Sequence, residues 1–558
     1  MTRDDARLRR RRPRRRRRVR ARGVRHRCGR RALRTSAPPP PVGIARRSNR
    51  RAHERAANAP TRADDWHLST VVMRERARAE ERGADACERA FEAWLSAHKV
   101  HLDGVALATF RRTGRGVCAT RDLKVGEVVV RVPDGAVLTS ETSCASAALE
   151  AMLGAESAES PRLDKEMLVI GVMCEMLRGS ESKYAEYLRV VYDGVVRGHS
   201  VLSWDNDEAV LLEGTDAWRD AYENEDEELD LPTMTDEHWK CVVKPFFRAN
   251  HALAHGRPMK ELRELHYAAT AAVAGYSFTL GDDEIQGMVP FWDMLNHAPP
   301  CGATVRLYHD EKTSTLQMIT VREVKKGEEV FNTYGPLRNA ELLRRYGFVL
   351  ARNPHGGTTV SLEDVVEAAL EAHPEVIDEL PLRLAWLESR GIGDETLESR
   401  FFIHPTGRPS KEILIALRVL ALTPEEMTTL IDTDFDDEEQ LMILEGNDAQ
   451  RAEQSYLVGA SLQFLSMHAK ERYNETMRES RLIIQMFAGV SPNDPAQEER
   501  YRAWCAAIVR MGEQRTLSKL GRWTYQPNRC EDSLLHAWPF PLREDEEDDA
   551  MMMCEAAE

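Results

Sequence analysis

Strand-like and helix-like segments are segregated along this chain of 558 residues. Between about residues 100 and 350, short β-branched runs are bounded by Gly or Pro, and GEVVVRV, which starts at Gly126 and is followed by Pro133, predicts a strand. From about 360 to 520, nearly every segment has the spacing of an amphipathic helix. This segregation predicts an α+β fold rather than a doubly wound parallel sheet.

Several helix starts are visible in the sequence. The apolar run 164–177 predicts a buried helix, and Ser361 with Asp364 has the spacing of a capping box. Thr423 precedes Pro and two Glu, which is the pattern of an N-cap followed by a first helical turn. The stretch 447–487 is predicted to be largely helical.

Charge divides the chain into two parts. Residues 1–60 hold 23 Arg, no Lys and three acids, for a net charge of +20, whereas the remainder holds 54 basic and 88 acidic residues, for a net charge of −34. The Arg-rich leader cannot bury enough apolar surface to fold, so it is predicted to be disordered. It is interpreted as a nuclear localisation or nucleic-acid patch, as an organellar transit peptide, or as an extension without a specific role. The scarcity of Ser and Thr before Thr35 favours the nucleus over a plastid.

Composition limits the class of protein. Apolar residues make up 42% and charged residues 30% of the chain, as in soluble globular proteins, and no run of 18 apolar residues predicts a membrane span. The ten cysteines include no C-x-x-C pair, so neither a structural zinc site nor a disulfide framework is predicted and a reducing compartment is favoured.

Four short stretches in the first half contain residues suited to binding or catalysis. They are Gly114-Arg115-Gly116 before a predicted strand, AGYSF at 274–278, Asn296-His297 after an apolar run, and FNTYGPLRNAELLRRYGF at 331–348. Each is weak alone, because a G-x-G or an Asn-His is more often only a turn, and tyrosines are more often half-buried core residues. The apolar approach to Asn296 is predicted to be a strand. No H-E-x-x-H, G-x-S-x-G or Walker pattern competes with these stretches.

The order of these stretches resembles the SET-domain methyltransferases, in the branch typified by the Rubisco large-subunit lysine methyltransferase. Within that branch, the greatest similarity is to the nuclear and ribosomal-protein lysine methyltransferases. It rests on three stretches: YSF, MVPFWDMLNH, and FNTYG followed by YGF. The Rubisco enzyme has Ser-Arg where this chain has Gly275-Tyr276. The resemblance spans about residues 100 to 520.

The resemblance implies a domain organisation. It predicts a SET domain at 63–352, whose small β-sheets surround a knot-like crossing, with a helical insertion at about 137–285. An all-α substrate-binding domain is expected at 353–525, between the SET domain and an acidic tail at 526–558. The disordered leader then occupies 1–62.

The resemblance also implies roles for individual residues. Tyr334 is expected to be catalytic, and Ser277 and Tyr184 are candidate substrate contacts. The residues expected to bind S-adenosylmethionine are Gly114, Arg115, Gly116, Tyr276, Asn296, His297 and Tyr346. No metal is expected, because methyl transfer from a sulfonium is an in-line displacement that needs a neutral amine and no protonated leaving group.

The expected activity is protein-lysine N-methylation. The chain lacks a cysteine cluster after YGF, which favours a non-histone protein, nuclear or ribosomal, with an exposed lysine in a basic segment. The alternatives are a protein-histidine methyltransferase, an inactive SET-fold binding module, and a nucleic-acid-binding protein that uses only its Arg-rich leader. A monomer is expected, in the nucleus, with the chloroplast or cytoplasm as alternatives.

Overall fold

The computed structural model describes residues 84–153, 161–197, 200–201, 204–222, 231–281, 285–393, 399–432, 448–492 and 494–523. The predicted leader (1–62) and acidic tail (526–558) lie outside these residues. The helices of the first part are α1 (Ala84–Ala97), α2 (Ser146–Leu153), α3 (Pro161–Arg178), α4 (Ala185–Arg197), α5 (Asn206–Ala209), α6 (Asp216–Tyr222), α7 (Leu231–His238), α8 (Lys244–Ala249) and α9 (Met259–Tyr276). They are followed by α10 (Asn339–Tyr346), α11 (Leu362–Ala372), α12 (Leu380–Ser389), α13 (Lys411–Ala421), α14 (Pro424–Asp432), α15 (Asp448–Glu471), α16 (Met477–Met486) and α17 (Glu498–Leu520).

The strands form small sheets. In chain order they are β1 (His101–Leu102), β2 (Val105–Phe110), β3 (Gly114–Ala119), β4 (Val128–Pro133), β5 (Leu138–Thr139), β6 (Ser277–Leu280), β7 (Ile285–Met288), β8 (Asn296–His297), β9 (Val305–Asp310), β10 (Thr315–Thr320), β11 (Glu329–Asn332), β12 (Thr358–Ser361) and β13 (Arg400–Ile403). The sheet orders are β1-β4-β10-β9, β2-β3-β11-β8, β5-β7-β6 and β12-β13. Only β11 and β8 pair in parallel among these described strands.

Local sequence signals correspond to the ends of several elements. The predicted strand is β4, and the apolar run 164–177 lies within α3. Ser361 and Asp364 form the predicted capping box, in which each side chain accepts the other residue's backbone N–H. The predicted helical stretch 447–487 is two helices, α15 and α16, because the chain turns between them and Thr476 caps a new helix.

Helices α2 to α9 are inserted between β5 and β6, so they separate two strands of the β5-β7-β6 sheet along the chain. The expectation that the C-terminal half is all-α is wrong, because this half also contains the two-stranded β12–β13 sheet. These strands are about 40 residues apart, and pairing between distant segments produces no local periodicity. Among the described residues, no helix is both long and apolar enough to cross a membrane.

Three apolar clusters hold the described chain together. One lies among the sheets and the inserted helices, and a second lies within the helical half. The third joins the insertion to both halves, since Leu212, Leu343 of α10 and Cys505 of α17 are all fully buried in it. The segment that carries α10 is therefore packed against α17.

Candidate active site

A strained turn leads into the site. Phe291 has φ +71° and ψ −34° and is fully buried, and Trp292–Met294 forms a single 3₁₀ turn before β8. The prediction that the apolar approach to Asn296 is a strand is therefore wrong. A left-handed, non-glycine residue costs about 1–3 kcal/mol and is retained where the surrounding packing demands it. Here it reverses the chain so that Asp293 and Asn296 enter the site from one short segment.

The parallel pair β8–β11 places two distant stretches side by side. Asn296 lies opposite Phe331 and His297 opposite Asn332. Just beyond β11, the backbone N–H of Tyr334 donates to Nδ1 of His297 at 3.0 Å. The Asn-His stretch and the Asn-Thr-Tyr-Gly stretch therefore meet in one place.

Gly114-Arg115-Gly116 lies against the other side of Asn296. These residues are the first three of β3, not a turn before it, and Gly114 has φ +80°. The Asn296 amide donates to the Arg115 carbonyl at 3.0 Å and to the Glu329 carboxylate at 2.7 Å. A Cβ on Gly116 would lie 2.6 Å from that amide nitrogen. Glycine is therefore required at 116 for Asn296 to approach β3.

The amide of Asn296 thus uses both of its hydrogens within the protein. Among the described residues, no donor reaches its Oδ1, which remains an acceptor for a ligand's ammonium group. Glu329 is held in turn by the Thr113 hydroxyl at 2.8 Å, and burial raises the pKa of this carboxyl. Glu329 and Phe331 also line a hollow of about 540 Å³, whose lining does not include Tyr334. The hollow is therefore connected to the contacts of Asn296 only through Glu329, because Asn296 itself does not line it.

Aromatic rings surround Tyr334. Its ring centroid lies 4.6 Å from that of Tyr346, 5.1 Å from His297 and 6.3 Å from Phe348. The Tyr334 hydroxyl donates to the Leu295 carbonyl at 2.7 Å. Burial raises the pKa of Tyr334 well above its usual value, so the phenol is neutral at physiological pH.

His297 is neutral and has a defined tautomer. Burial, with a smaller contribution from His355, lowers the pKa of His297 to about 4. Because Nδ1 accepts the Tyr334 N–H, the ring proton is on Nε2. The imidazole therefore orients Tyr334 and does not carry a charge.

Of the remaining predicted site residues, Tyr276 lies near Tyr334 and Ser277 is its neighbour in the chain, whereas Tyr184 does not contribute to the site surface. Tyr276 ends α9 and is close enough to contribute to the raised pKa of Tyr334, and Ser277 follows it, half-buried, opposite Met288 of β7. Tyr184 is different. It is fully buried, with its hydroxyl 2.9 Å from the Val137 carbonyl.

Tyr184 therefore presents no surface to a substrate in this structure, and its assignment as a substrate contact is not supported. Its ring packs beside Trp94, whose neighbours Phe91 and Tyr187 complete an aromatic cluster under α1. The sequence did not distinguish this core role from substrate binding, because an alternation of polar and aromatic residues is compatible with either role.

Sequence reasoning missed one buried pair beside the site. The Tyr187 hydroxyl donates to Oδ2 of Asp293, which is 8% exposed. Oδ1 of Asp293 has no hydrogen-bond partner among the described residues, and burial raises the pKa of this carboxyl to about 8. The sequence signal that could have identified Asp293 was the presence of an acid inside the apolar run that leads to Asn296. No group of three His, Cys, Asp or Glu in the described chain is arranged to hold a metal ion.

Comparison with known proteins supports the expected similarity to the SET-domain proteins. Residues 114–335 match the family model for the SET domain, and this range begins at Gly114 and ends just after Tyr334. The resemblance predicted from the ordered stretches is confirmed.

Proteins similar to this chain include N-lysine methyltransferases of the SETD6 type and SET domain-containing protein 4. The chain is 27% identical to N-lysine methyltransferase setd6 of Salmo salar over 432 residues, which cover 73% of this chain and 89% of the salmon protein. It is 29% identical to human N-lysine methyltransferase SETD6 over 341 residues, covering 58% of this chain and 67% of that protein. Human SET domain-containing protein 4 is 24% identical over 365 residues, with coverage of 60% and 72%.

Solved structures agree on the fold. The SET domain of LSMT bound to lysine and AdoHcy superposes with a TM-score of 0.58 at 17% identity, covering 79% of this chain and 91% of that one. Rubisco LSMT bound to sinefungin and monomethyllysine gives a TM-score of 0.58 at 16% identity, with coverage of 84% and 99%. The α+β fold with a SET domain and a helical C-terminal region is therefore confirmed.

Proposed function

We propose that this protein is an S-adenosylmethionine-dependent protein-lysine N-methyltransferase that acts on a non-histone protein. The observation that carries the proposal is the position of Tyr334, whose neutral hydroxyl is anchored on the Leu295 carbonyl and whose backbone is anchored on His297. The names of the SETD6 relatives and the lysine-bound LSMT structures support lysine as the target.

The residues on the Asn296 side fit S-adenosylmethionine. Oδ1 of Asn296 is an acceptor suited to the α-ammonium group, and Gly116 leaves the space in which the Asn296 amide lies against β3. When bound, this cofactor supplies an electrophilic methyl group on a sulfonium. Solved LSMT structures are bound to AdoMet, AdoHcy and sinefungin, which supports the same class of cofactor here.

The aromatic side of the site is suited to a neutral amine. A lysine with a pKa of about 10.4 is only about one part in a thousand unprotonated near pH 7. The rings of Tyr334, Tyr346 and Phe348 exclude water, which lowers the pKa of an ammonium group among them. The Tyr334 hydroxyl donates its hydrogen to the Leu295 carbonyl, so the lone pairs of its oxygen accept an N–H of the amine. This contact directs the lone pair of the amine nitrogen away from the ring. Holding reactants at about 3–3.5 Å accounts for much of the acceleration in such reactions.

The charge of the chain supports a basic segment as the substrate. Outside residues 1–60 the net charge is −34, and such a field attracts lysine-rich sequences. We also propose a nuclear location, on the strength of the Arg-rich leader alone. A fluorescent fusion should lose nuclear accumulation when residues 1–62 are deleted, and unchanged accumulation would refute this location.

The function is tested with radiolabelled S-adenosylmethionine and a lysate of the cells that make the protein. The wild type should label one or a few proteins, and Tyr334→Phe should label them at least about 100-fold more slowly, as when a single positioned hydrogen-bonding group is removed. Tyr308→Phe is the matched control, because Tyr308 is 48% exposed on β9 and should leave the rate unchanged. Mass spectrometry of the product distinguishes lysine from histidine. Absence of labelling by wild-type protein that binds the cofactor would overturn the proposed activity.

A further inference from the structure

Asp216 is a buried carboxylate surrounded by arginines, at the start of α6. Its side chain is 1% exposed and lies 2.9 Å from Arg338, 3.3 Å from Arg472 and 3.8 Å from Arg219. Burial alone would raise the pKa of Asp216, but the three guanidinium groups together lower it, so the group is ionised. Buried ionised groups that are matched in this way hold their segments in one arrangement.

Arg338 connects this carboxylate to the candidate active site. It is the N-cap of α10, where its backbone N–H donates to the Glu341 carboxylate at 3.0 Å. Tyr334 lies four residues before Arg338, and α10 ends at Tyr346, whose ring packs against Tyr334. The segment 334–346 thus begins and ends at this ring pair, with Arg338 between them.

The same carboxylate is attached to the helical half. It accepts the backbone N–H of Thr359 in β12 at 2.9 Å, and Arg472, just after α15, donates to the Thr359 carbonyl at 2.8 Å. The backbone N–H of Asp216 donates to Glu513 of α17 at 3.0 Å. The Arg338 guanidinium also lies 5.8 Å from the ring centre of Phe402 in β13.

We propose that Arg338 is a positioning residue that holds the Tyr334–Tyr346 ring pair in place against the helical C-terminal half, through Asp216. Asp216 contacts β12, α17 and Arg338. A movement of β12 or α17 relative to the SET domain is therefore transmitted through Asp216 to the segment 334–346. The activity part of the proposal rests on the proposed methyl transfer.

The test compares two arginines that pair with the same helix. Arg400 lies 2.7 Å from Asp220, also in α6, and the side chains of the two pairs have similar exposure on the arginine side, 20% for Arg338 and 19% for Arg400. Arg400 is on β13 and does not belong to the segment 334–346. Arg338→Met and Arg400→Met therefore each remove one partly buried arginine that pairs with a carboxylate of α6, but only the first changes a residue of that segment.

We expect the two variants to differ in kcat even when both proteins are fully folded. At a temperature well below both melting transitions, Arg338→Met should lose roughly 10- to 100-fold in kcat, because small displacements of reacting groups have effects of that size. Its KM for a substrate protein and its Kd for AdoHcy should stay within about threefold. Arg400→Met should keep its kcat, and Arg338→Lys, which retains the charge, should recover part of the lost rate.

Hydrogen exchange provides a readout that does not depend on activity. Amides between 331 and 348 should exchange faster in Arg338→Met than in Arg400→Met. Unchanged exchange there, or an equal loss of kcat in both variants, would overturn the positioning role. If the wild type transfers no methyl group while the exchange difference is present, the proposed function fails and the positioning role stands.

Discussion

The imidazole of His297 accepts the backbone N–H of Tyr334 at 3.0 Å, across 37 residues of sequence. This contact joins the two stretches that contain the candidate cofactor and catalytic residues. The same ring packs 5.1 Å from the Tyr334 ring, so it supports both the backbone and the side chain of that residue.

His297→Ala should leave a buried N–H of Tyr334 without an acceptor. Such a loss costs about 1–3 kcal/mol, and the missing ring adds a packing loss. Urea unfolding should show the reduced free energy of unfolding, and methyl transfer should be lost. His309→Ala is the control, since His309 only pairs with Asp134 at the surface and should change stability by less than about 1 kcal/mol. Equal effects of both substitutions would contradict the contact's importance.

Gly116→Ala should displace Asn296. The added Cβ would lie 2.6 Å from the Asn296 amide nitrogen and 2.8 Å from Glu329, and relieving such overpacking costs about 1–3 kcal/mol. Calorimetric titration with AdoHcy should show affinity weakened by about tenfold or more. In Gly135→Ala no atom of the described residues, other than those of the two chain neighbours, lies within 4 Å of the new methyl group, so affinity should be unchanged. Wild-type affinity in Gly116→Ala would show that the site tolerates a shifted Asn296.

Asn296→Asp should place a carboxylate against the Glu329 carboxylate and the Arg115 carbonyl, where the amide now donates. Repulsion between the two acids should weaken AdoHcy binding by roughly 10- to 100-fold near pH 8. Binding should partly recover near pH 5–6, because a proton shared by the two carboxyl groups restores a donor.

A second substitution tests this explanation. In Asn296→Asp with Glu329→Gln, the new amide can donate to the new carboxylate, so binding near pH 8 should improve over the single variant. No improvement would mean that Asn296 acts through some other contact than Glu329.

Asp293→Asn should flatten the pH dependence of stability. An unfolded Asp has a pKa of about 3.9, whereas burial raises the folded pKa of Asp293 to about 8. Between these values the folded chain holds one more proton than the unfolded chain, so the free energy of unfolding falls as pH rises, by up to about 1.4 kcal/mol per pH unit. Urea unfolding at pH 6.5, 7.2 and 8 should show this slope reduced in Asp293→Asn.

The opposite effect of His297 lies mostly below this pH window and is common to both proteins, so it cancels when their slopes are compared. The folded pKa of His297, about 4, lies below the unfolded value of about 6.5, so its contribution is present above pH 6.5 and is lost as pH falls toward 4. An identical slope in wild type and Asp293→Asn would mean that Asp293 is ionised in the folded protein.

Sequence signals named several residues that the structure brings together in the candidate site, and they failed at particular places. Asn296, His297 and Tyr334 were found because their order along the chain resembles a family, although each stretch alone is no more than a turn signal. Tyr184 was predicted to belong to the site, yet it is buried in the core under α1. Whether a tyrosine is buried or exposed depends on which helix packs over it, and the local sequence does not show this. Asp293 was visible inside its apolar run, but its partner Tyr187 is 106 residues away.

The sequence by itself determined the segregation of strands and helices, the capped starts of α11 and α14, and the order of the SET stretches. These are local properties, since capping and periodicity act within about four residues along the chain. Tertiary structure alone decided that Arg115 meets Asn296 across 181 residues and that Arg338 meets Asp216 across 122. Contacts over such separations form only when sheets and helices pack in three dimensions, and no local pattern records which side chains that packing brings together.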